Sequence, residues 1–363
     1  MVPKSVLAGV VPHNRLTFGE AEVEAVARTI RSGQWAQGPR VAELEGELAR
    51  WAGVRHCVCV ASGMAALRLA LGALKISAGS SVLVPAYSCV ALANACLFWG
   101  ATPIPVEIEA GAWNLDANSC LDAIRQHQPE AVIAVNTFGC PVDLSFRQLS
   151  NVPVIEDCAH AFGMEVDGKP LGSRSEIGVL SFYATKLLGG GEGGAVLTNS
   201  AGIAEFVRSS RDYGEQGASA HRMNDKMNDL EAALVLAQLE RLPEMIARRE
   251  EIALRYIERL SASSAAGNAF RLPDNTSRRI WYRFAVELRD ANPDLVFESL
   301  REEGVDAARP ITEWRPTGSP SCPVADKAYR NLLSLPLYPT LTEEEQEHVA
   351  QSLLRAVEEH GRA

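Results

Sequence analysis

Val179-Leu180-Ser181-Phe182-Tyr183-Ala184-Thr185-Lys186-Leu187-Leu188-Gly189-Gly190-Gly191-Glu192-Gly193-Gly194 is the stretch on which the reading of this chain turns. An apolar run, Val179 to Tyr183, leads to one lysine, then to a turn carrying five glycines, then to a second strand-like run, Ala195 to Thr198. Short apolar runs bounded by glycine read as interior strands. A lysine at the mouth of such a strand is costly to bury unless something uses its ammonium. A partly desolvated amine loses its proton more readily and can attack an aldehyde. The alternative is a lysine that snorkels to solvent from a loop, and the stretch alone leaves both open.

Two further stretches extend the argument. Val152-Pro153-Val154-Ile155-Glu156-Asp157 is an apolar strand ending in two acids, and Cys158-Ala159-His160-Ala161-Phe162-Gly163 follows it. Acids at the carboxyl end of a buried strand lie where open α/β sheets bind ligands. Upstream, strand Val58-Cys59-Val60 runs into Ser62-Gly63 and a helix rich in Ala, Leu and Met, with Met64, Leu67, Leu71 and Leu74 on one face. Ser62 is a good N-cap, Gly63 permits close backbone approach, and the free amides of a helix start attract phosphate. Pyridoxal phosphate (PLP) asks for a lysine, a carboxylate for its ring nitrogen and an anion cradle. Lys186, Asp157 and the Ser62 turn supply those three. The Gly189–Gly194 run is not a phosphate-binding Walker loop, because the lysine precedes the glycines.

In this order, Ser62-Gly63, Glu156 to Gly163, Phe182 to Lys186 and Glu192-Gly193-Gly194 resemble the DegT-type sugar aminotransferases. The likeness covers nearly the whole chain. It takes in Gly33 to Pro39, Pro85-Ala86-Tyr87, Asp229 to Leu234, Ala237-Gln238-Leu239 and Leu335 to Pro339. It implies a fold-type-I PLP enzyme that moves an amino group from glutamate or glutamine to a keto-sugar, usually nucleotide-linked, in amino-sugar biosynthesis. By the same resemblance Lys186 holds PLP as a Schiff base and moves the proton, Asp157 pairs with the pyridine nitrogen, and His160 faces the ring or its phenolic oxygen. Ser181, Ser62 and the Gly63 and Met64 amides take the phosphate. Asn224, in Asn224 to Asp229, reaches the phosphate of a neighbouring subunit, which makes the expected unit a homodimer with shared sites. Two departures stand out. Met64 replaces the usual threonine, and Cys89 stands where an aromatic residue stacks on the ring, so either Cys89 packs edgewise as a small hydrophobe or neighbouring Tyr87 takes over stacking, the second being the expectation.

At 363 residues the chain exceeds the roughly 250–300 at which single cores stop growing, so two domains are expected. The strand–helix alternation from Val58 to Leu197 argues a mainly parallel sheet of about seven strands, sandwiched by helices. Beyond Tyr213 the texture becomes helical, and a smaller α+β domain is expected after a boundary near Pro243, giving 1–243 and 244–363. Ser261 to Asn268 reads as a linker or surface turn. A net charge of −10 without a basic stripe speaks against nucleic acid or an anionic membrane as partner. The N-terminal apolar patch, broken by Gly9 and Pro12, is too irregular for a signal peptide, and no uncharged run is long enough to span a bilayer. The eight cysteines show no zinc spacing and read as reduced, buried thiols of a cytoplasmic protein, and no metal site is expected.

Two rival readings remain. A PLP-dependent sugar dehydratase of the same group typically carries histidine at the lysine position, against Lys186. A non-catalytic sensor that binds PLP or a sugar nucleotide need not keep Lys186, Asp157 and Ser181 together.

Overall fold

The computed structural model describes residues 9–214, 222–263, 269–274 and 279–361. The first eight residues, the middle of the Tyr213–Asn228 loop and most of the Ser261–Asn268 linker lie outside the described residues.

A seven-stranded sheet forms the larger body. Its strands are β1 (His56–Val60), β2 (Ser81–Pro85), β3 (Thr102–Val106), β4 (Ala131–Val135), β5 (Val154–Asp157), β8 (Ile177–Ser181) and β9 (Gly194–Thr198), in the order β1-β9-β8-β5-β4-β2-β3. The pairings from β8 to β3 are parallel, and only β9 runs antiparallel, between β1 and β8. The sheet is the mainly parallel one expected. Two short strands, β6 (Glu165–Val166) and β7 (Lys169–Pro170), form a hairpin between β5 and β8.

Successive side chains of a strand point to opposite faces, and the sequence uses both. Val82, Val84, Ile133, Val135, Ile155, Ile177 and Val179 join a core under helices α3 (Gly63–Ala73) and α6 (Ala201–Arg211). Leu83, Val132, Ala134 and Val154 point the other way, into a core with Cys120 of helix α5 (Ala117–His127). Leu180, Ala195 and Leu197 share that second face with α2 (Pro39–Ala52) and α7 (Asp229–Glu240). Apolar residues on both faces are what a sheet covered by helices requires, and β4 is buried at all five positions.

A second core gathers residues from Ile252 to Val357 together with Val11. It packs a three-stranded antiparallel sheet, β10 (Phe270–Arg271), β11 (Phe284–Leu288) and β12 (Leu332–Leu335), against the long helix α8 (Leu242–Ser261) and the helices Pro293–Glu302 and Glu343–His360. The chain from Val11 to Phe18 joins the two bodies. Val11 bridges Val305, Arg15 pairs with Glu345, and Asn14 donates to the carbonyl of Thr185.

Candidate active site

The strand parity that builds the core also builds the site. Asp157 follows Ile155 by two residues and Ser181 follows Val179 by two, so both side chains emerge on the α3 face at the carboxyl ends of parallel strands. There they meet the start of α3, where Ser62 Oγ accepts from the Ala65 amide at 3.1 Å. A cavity of about 250 Å³ results, walled by Gly63, Met64, Tyr87, Cys89, Asp157, His160, Ser181 and Lys186 among others. Eight of the ten residues expected to act lie on this one surface. Gly63 lies so close to Ser181 that an added Cβ would sit 2.7 Å from the serine Cβ and 2.9 Å from its Oγ.

Asp157 is 5% exposed, and Oδ1 accepts from the Ala159 amide at 2.9 Å. Burial pushes its pKa above the usual carboxylate value, while that amide and the Lys186 charge pull it back. Its neighbour Glu156 points to the other face, fully buried, and is committed there. It accepts from Arg174 Nε at 2.8 Å, from the amides of Gly172 (2.9 Å) and Arg174 (3.3 Å), and from Asn136 Nδ2 at 3.2 Å. Of the two adjacent acids, only Asp157 faces the cavity.

Lys186 is half-buried at the head of the glycine turn. That turn is closed by hydrogen bonds from Phe182 to Gly193, Ala184 to Gly191 and Gly190 to Phe182. The lysine Nζ lies 5.0 Å from the centre of the Tyr282 ring. His160 is sandwiched between aromatic rings, with Tyr282 at 4.3 Å and 12° and Phe138 at 6.2 Å and 20°. Its buried Nδ1 has no hydrogen-bond partner among the described residues. Burial, then the charges of Lys186 and Arg283, push its pKa well below 6.5, so the ring is neutral.

Phe138 and Tyr282 carried no signal in the sequence. Phe138 sits in the left-handed region at φ 52, just past β4. Next to it Gly139 (φ 87) lets the chain 279–282 approach, since an added Cβ would lie 1.7 Å from the Ile280 carbonyl oxygen. A bulky residue held at positive φ beside a residue of the cavity wall, here His160, is a recurrent feature of functional sites.

Three expected residues are placed differently from the rest. Ser62 caps α3 but lies outside the lining of the cavity. Asn224 is exposed and away from the cavity, on a segment whose neighbour Asp225 accepts the Ala61 amide at 2.7 Å and pairs with Arg68. Cys89, expected to be a buried thiol, is exposed at the rim, the only one of the eight cysteines that is. The correction has a local cause, because Cys89 is the extended N-cap at which the loop after β2 turns into helix Val90–Phe98. Tyr87 is fully buried, edge-on to Tyr329 (4.8 Å) and Phe138 (6.3 Å), and its hydroxyl has no partner among the described residues. Among the described residues, no helix is long and apolar enough to cross a membrane.

Comparison with known proteins gives one consistent picture. The model of the DegT/DnrJ/EryC1/StrS aminotransferase family matches residues 17–354. A Pseudomonas aeruginosa protein named UDP-2-acetamido-2-deoxy-3-oxo-D-glucuronate aminotransferase is 32% identical over 330 residues, covering 87% of this chain and 90% of that one. A Streptomyces venezuelae protein named dTDP-3-amino-3,4,6-trideoxy-alpha-D-glucose transaminase is 32% identical over 336 residues, covering 87% of each chain. The crystal structure of the aminotransferase TlmJ from Streptoalloteichus hindustanus superposes with a TM-score of 0.90 at 28% identity, covering 97% of this chain and 100% of that one.

Proposed function

The chain belongs to the DegT/DnrJ/EryC1/StrS aminotransferase family, and on that premise we propose that it transfers an amino group from glutamate or glutamine to a nucleotide-linked keto-sugar. It is an aminotransferase of amino-sugar biosynthesis, and its cofactor is PLP. When bound, PLP supplies an aldehyde that takes up the amine and a ring that withdraws electrons from the reacting carbon. The residues present fit that group. Among the described residues, the cavity's His160 Nδ1 has no hydrogen-bond partner and its Asp157 carboxylate has no cation in ion-pair contact, and its cradle at Gly63 and Ser181 is too tight for another Cβ.

In this reading Lys186 Nζ is the group that would hold the cofactor's aldehyde carbon and, as a free amine, would take and return the proton at the substrate carbon. The Asp157 carboxylate keeps the ring nitrogen protonated from inside the protein, shielded from water. The Ser181 hydroxyl and the Gly63 and Met64 amides, with Ser62 fixing the helix start, take the phosphate at the positive end of α3. His160, locked flat between Phe138 and Tyr282, sets the position of the ring. Buried Tyr87 forms part of the cavity wall and exposed Cys89 its rim.

We assign Asn224 to the neighbouring subunit's phosphate. Leu16, Phe18, Val23 and Ile30 are each at least half exposed and flank an apolar cleft that reaches Lys186 and Gly191. An apolar patch of this kind beside a site suits a second copy of the chain. The eight free thiols suit a reducing compartment, the cytoplasm.

The observation that carries the reading is the convergence of Asp157, Ser181 and Lys186 on one cavity. Its test is to add glutamate or glutamine to PLP-loaded protein and follow the visible absorbance. Bleaching, followed by recovery and an aminated product on adding a keto-sugar nucleotide, is expected. No bleaching by either donor would refute it. Sharing of the site is tested by mixing Lys186→Ala with Asn224→Ala chains. Hybrid dimers regain one intact site if Asn224 serves its neighbour, and stay inactive if it does not.

A further inference from the structure

Beside the Lys186 cavity lies a smaller hollow of about 80 Å³, walled by His13, Thr185, Tyr282, Arg283 and Ser334 among others. Its charge is unbalanced. Arg283 is half-buried, and its hydrogen bond goes from Nη1 to His13 Nε2 at 3.0 Å. The guanidinium carbon lies 5.5 Å from the centre of the Tyr282 ring, and among the described residues Arg283 makes no ion pair. Arginine can only donate, so His13 Nε2 is an acceptor there, and the same nitrogen lies 2.9 Å from the Ser334 hydroxyl. His13 is therefore neutral, its pKa pushed down to about 3 by burial and then by Arg283. It positions the guanidinium without cancelling its charge.

The surroundings add positive charge. Lys186 Nζ sits against the same Tyr282 ring, and buried Arg249 donates to the carbonyls of Trp281, Tyr282 and Leu337. Burial should raise the Tyr282 phenol, yet Lys186, Arg283 and a hydrogen bond with Thr185 outweigh it and leave the pKa below 10. Among the described residues the carboxylate of Asp306 accepts only from the His13 backbone amide, at 3.3 Å, and it is exposed. A fork of guanidinium N–H groups with no acid beside it matches a planar carboxylate. The small hollow admits one, and the Gly63–Ser181 cradle for phosphate belongs to the other cavity.

We propose that Arg283, held in place by neutral His13, binds a carboxylate of the substrate reacting at Lys186, supplied by the amino-acid donor. This rests on the transaminase reading of the neighbouring cavity. A uronic-acid sugar offers the same chemistry as a second source, and the experiment separates the two.

Glutarate, a dicarboxylate with no amine to transfer, is titrated into PLP-loaded wild-type, Arg283→Gln and Arg283→Lys proteins by calorimetry, after their melting temperatures are matched. The half-reaction with glutamate is then followed by absorbance, and the return half-reaction with neutral and uronic keto-sugars. Loss of a charge-assisted hydrogen bond should weaken glutarate roughly ten- to a hundredfold in Arg283→Gln, with part regained in Arg283→Lys. The apparent Kd for glutamate should rise in step while the limiting rate moves less and neutral acceptors are unaffected. Weakening confined to uronic acceptors would overturn the donor as source and place the sugar's carboxylate there. Unchanged binding of every carboxylate would overturn the site altogether. Wild-type protein that ignores both glutamate and glutamine would instead refute the transaminase reading.

Discussion

Glu156 and Asp157 are adjacent acids of one strand, and the structure gives them opposite tasks, so substituting each should leave opposite signatures. Glu156 is fully buried and its partner Arg174 is 10% exposed at the side chain. Removing one member of a buried ion pair leaves an uncompensated charge and costs about 3–5 kcal/mol. Gln keeps the shape and one acceptor oxygen, which places Glu156→Gln near the lower end, about 3 kcal/mol. At about 2–4 °C per kcal/mol, the melting temperature should fall by roughly 6–12 °C. Among the described residues Asp157 makes one amide hydrogen bond and no ion pair, and burial already disfavours its charge. Asp157→Asn should therefore leave the melting temperature of the cofactor-free protein unchanged or higher. With PLP bound it should slow the glutamate half-reaction by several orders of magnitude, because the ring nitrogen loses its proton. Thermal melts by circular dichroism, with and without PLP, and single-turnover absorbance read both effects. A Glu156→Gln protein that melts within about 2 °C of wild type but reacts slowly would exchange the two roles and refute the assignment.

Other outcomes follow from the same geometry. Gly63→Ala should abolish PLP binding without unfolding the protein, since its Cβ would meet Ser181 at 2.7 Å; equilibrium dialysis with PLP reads it, and normal affinity would refute the cradle. His13 titrates at about 3 in the fold against 6.5 in the unfolded chain, so between those values the unfolded state binds the extra proton and stability falls as pH falls. Its contribution to the slope is up to about 1.4 kcal/mol per pH unit, and urea titrations at a series of pH values should show His13→Gln losing that share. An unchanged slope would mean that His13 is protonated in the fold.

What the sequence revealed and what it hid divide along one physical line. Asp157 and Ser181 were legible because each ends a buried strand, where strand parity carries both to one face of the sheet, and Lys186 because it opens the glycine turn that follows the second of those strands. Ser62 was legible because helix starts have their own chemistry. The antiparallel insertion of β9 between β1 and β8 was not, because no local pattern states which strand a run will pair with. The His160 stack was hidden for the same reason, as Phe138 and Tyr282 meet it only after Gly139 brings in the chain 279–282. His13 and Arg283 are 270 positions apart and touch only because the N-terminal arm crosses between the two cores. Cys89 misled because burial was read from its apolar neighbours, whereas its exposure is set by the turn into a helix.

The central claim is that Lys186 carries the cofactor. Reduction of PLP-loaded protein with borohydride, followed by peptide mapping, tests it most directly. The account predicts the pyridoxyl label on the peptide containing Lys186, absent from the Lys186→Ala protein. A label on Lys226 or any other lysine, or none at all, would contradict it.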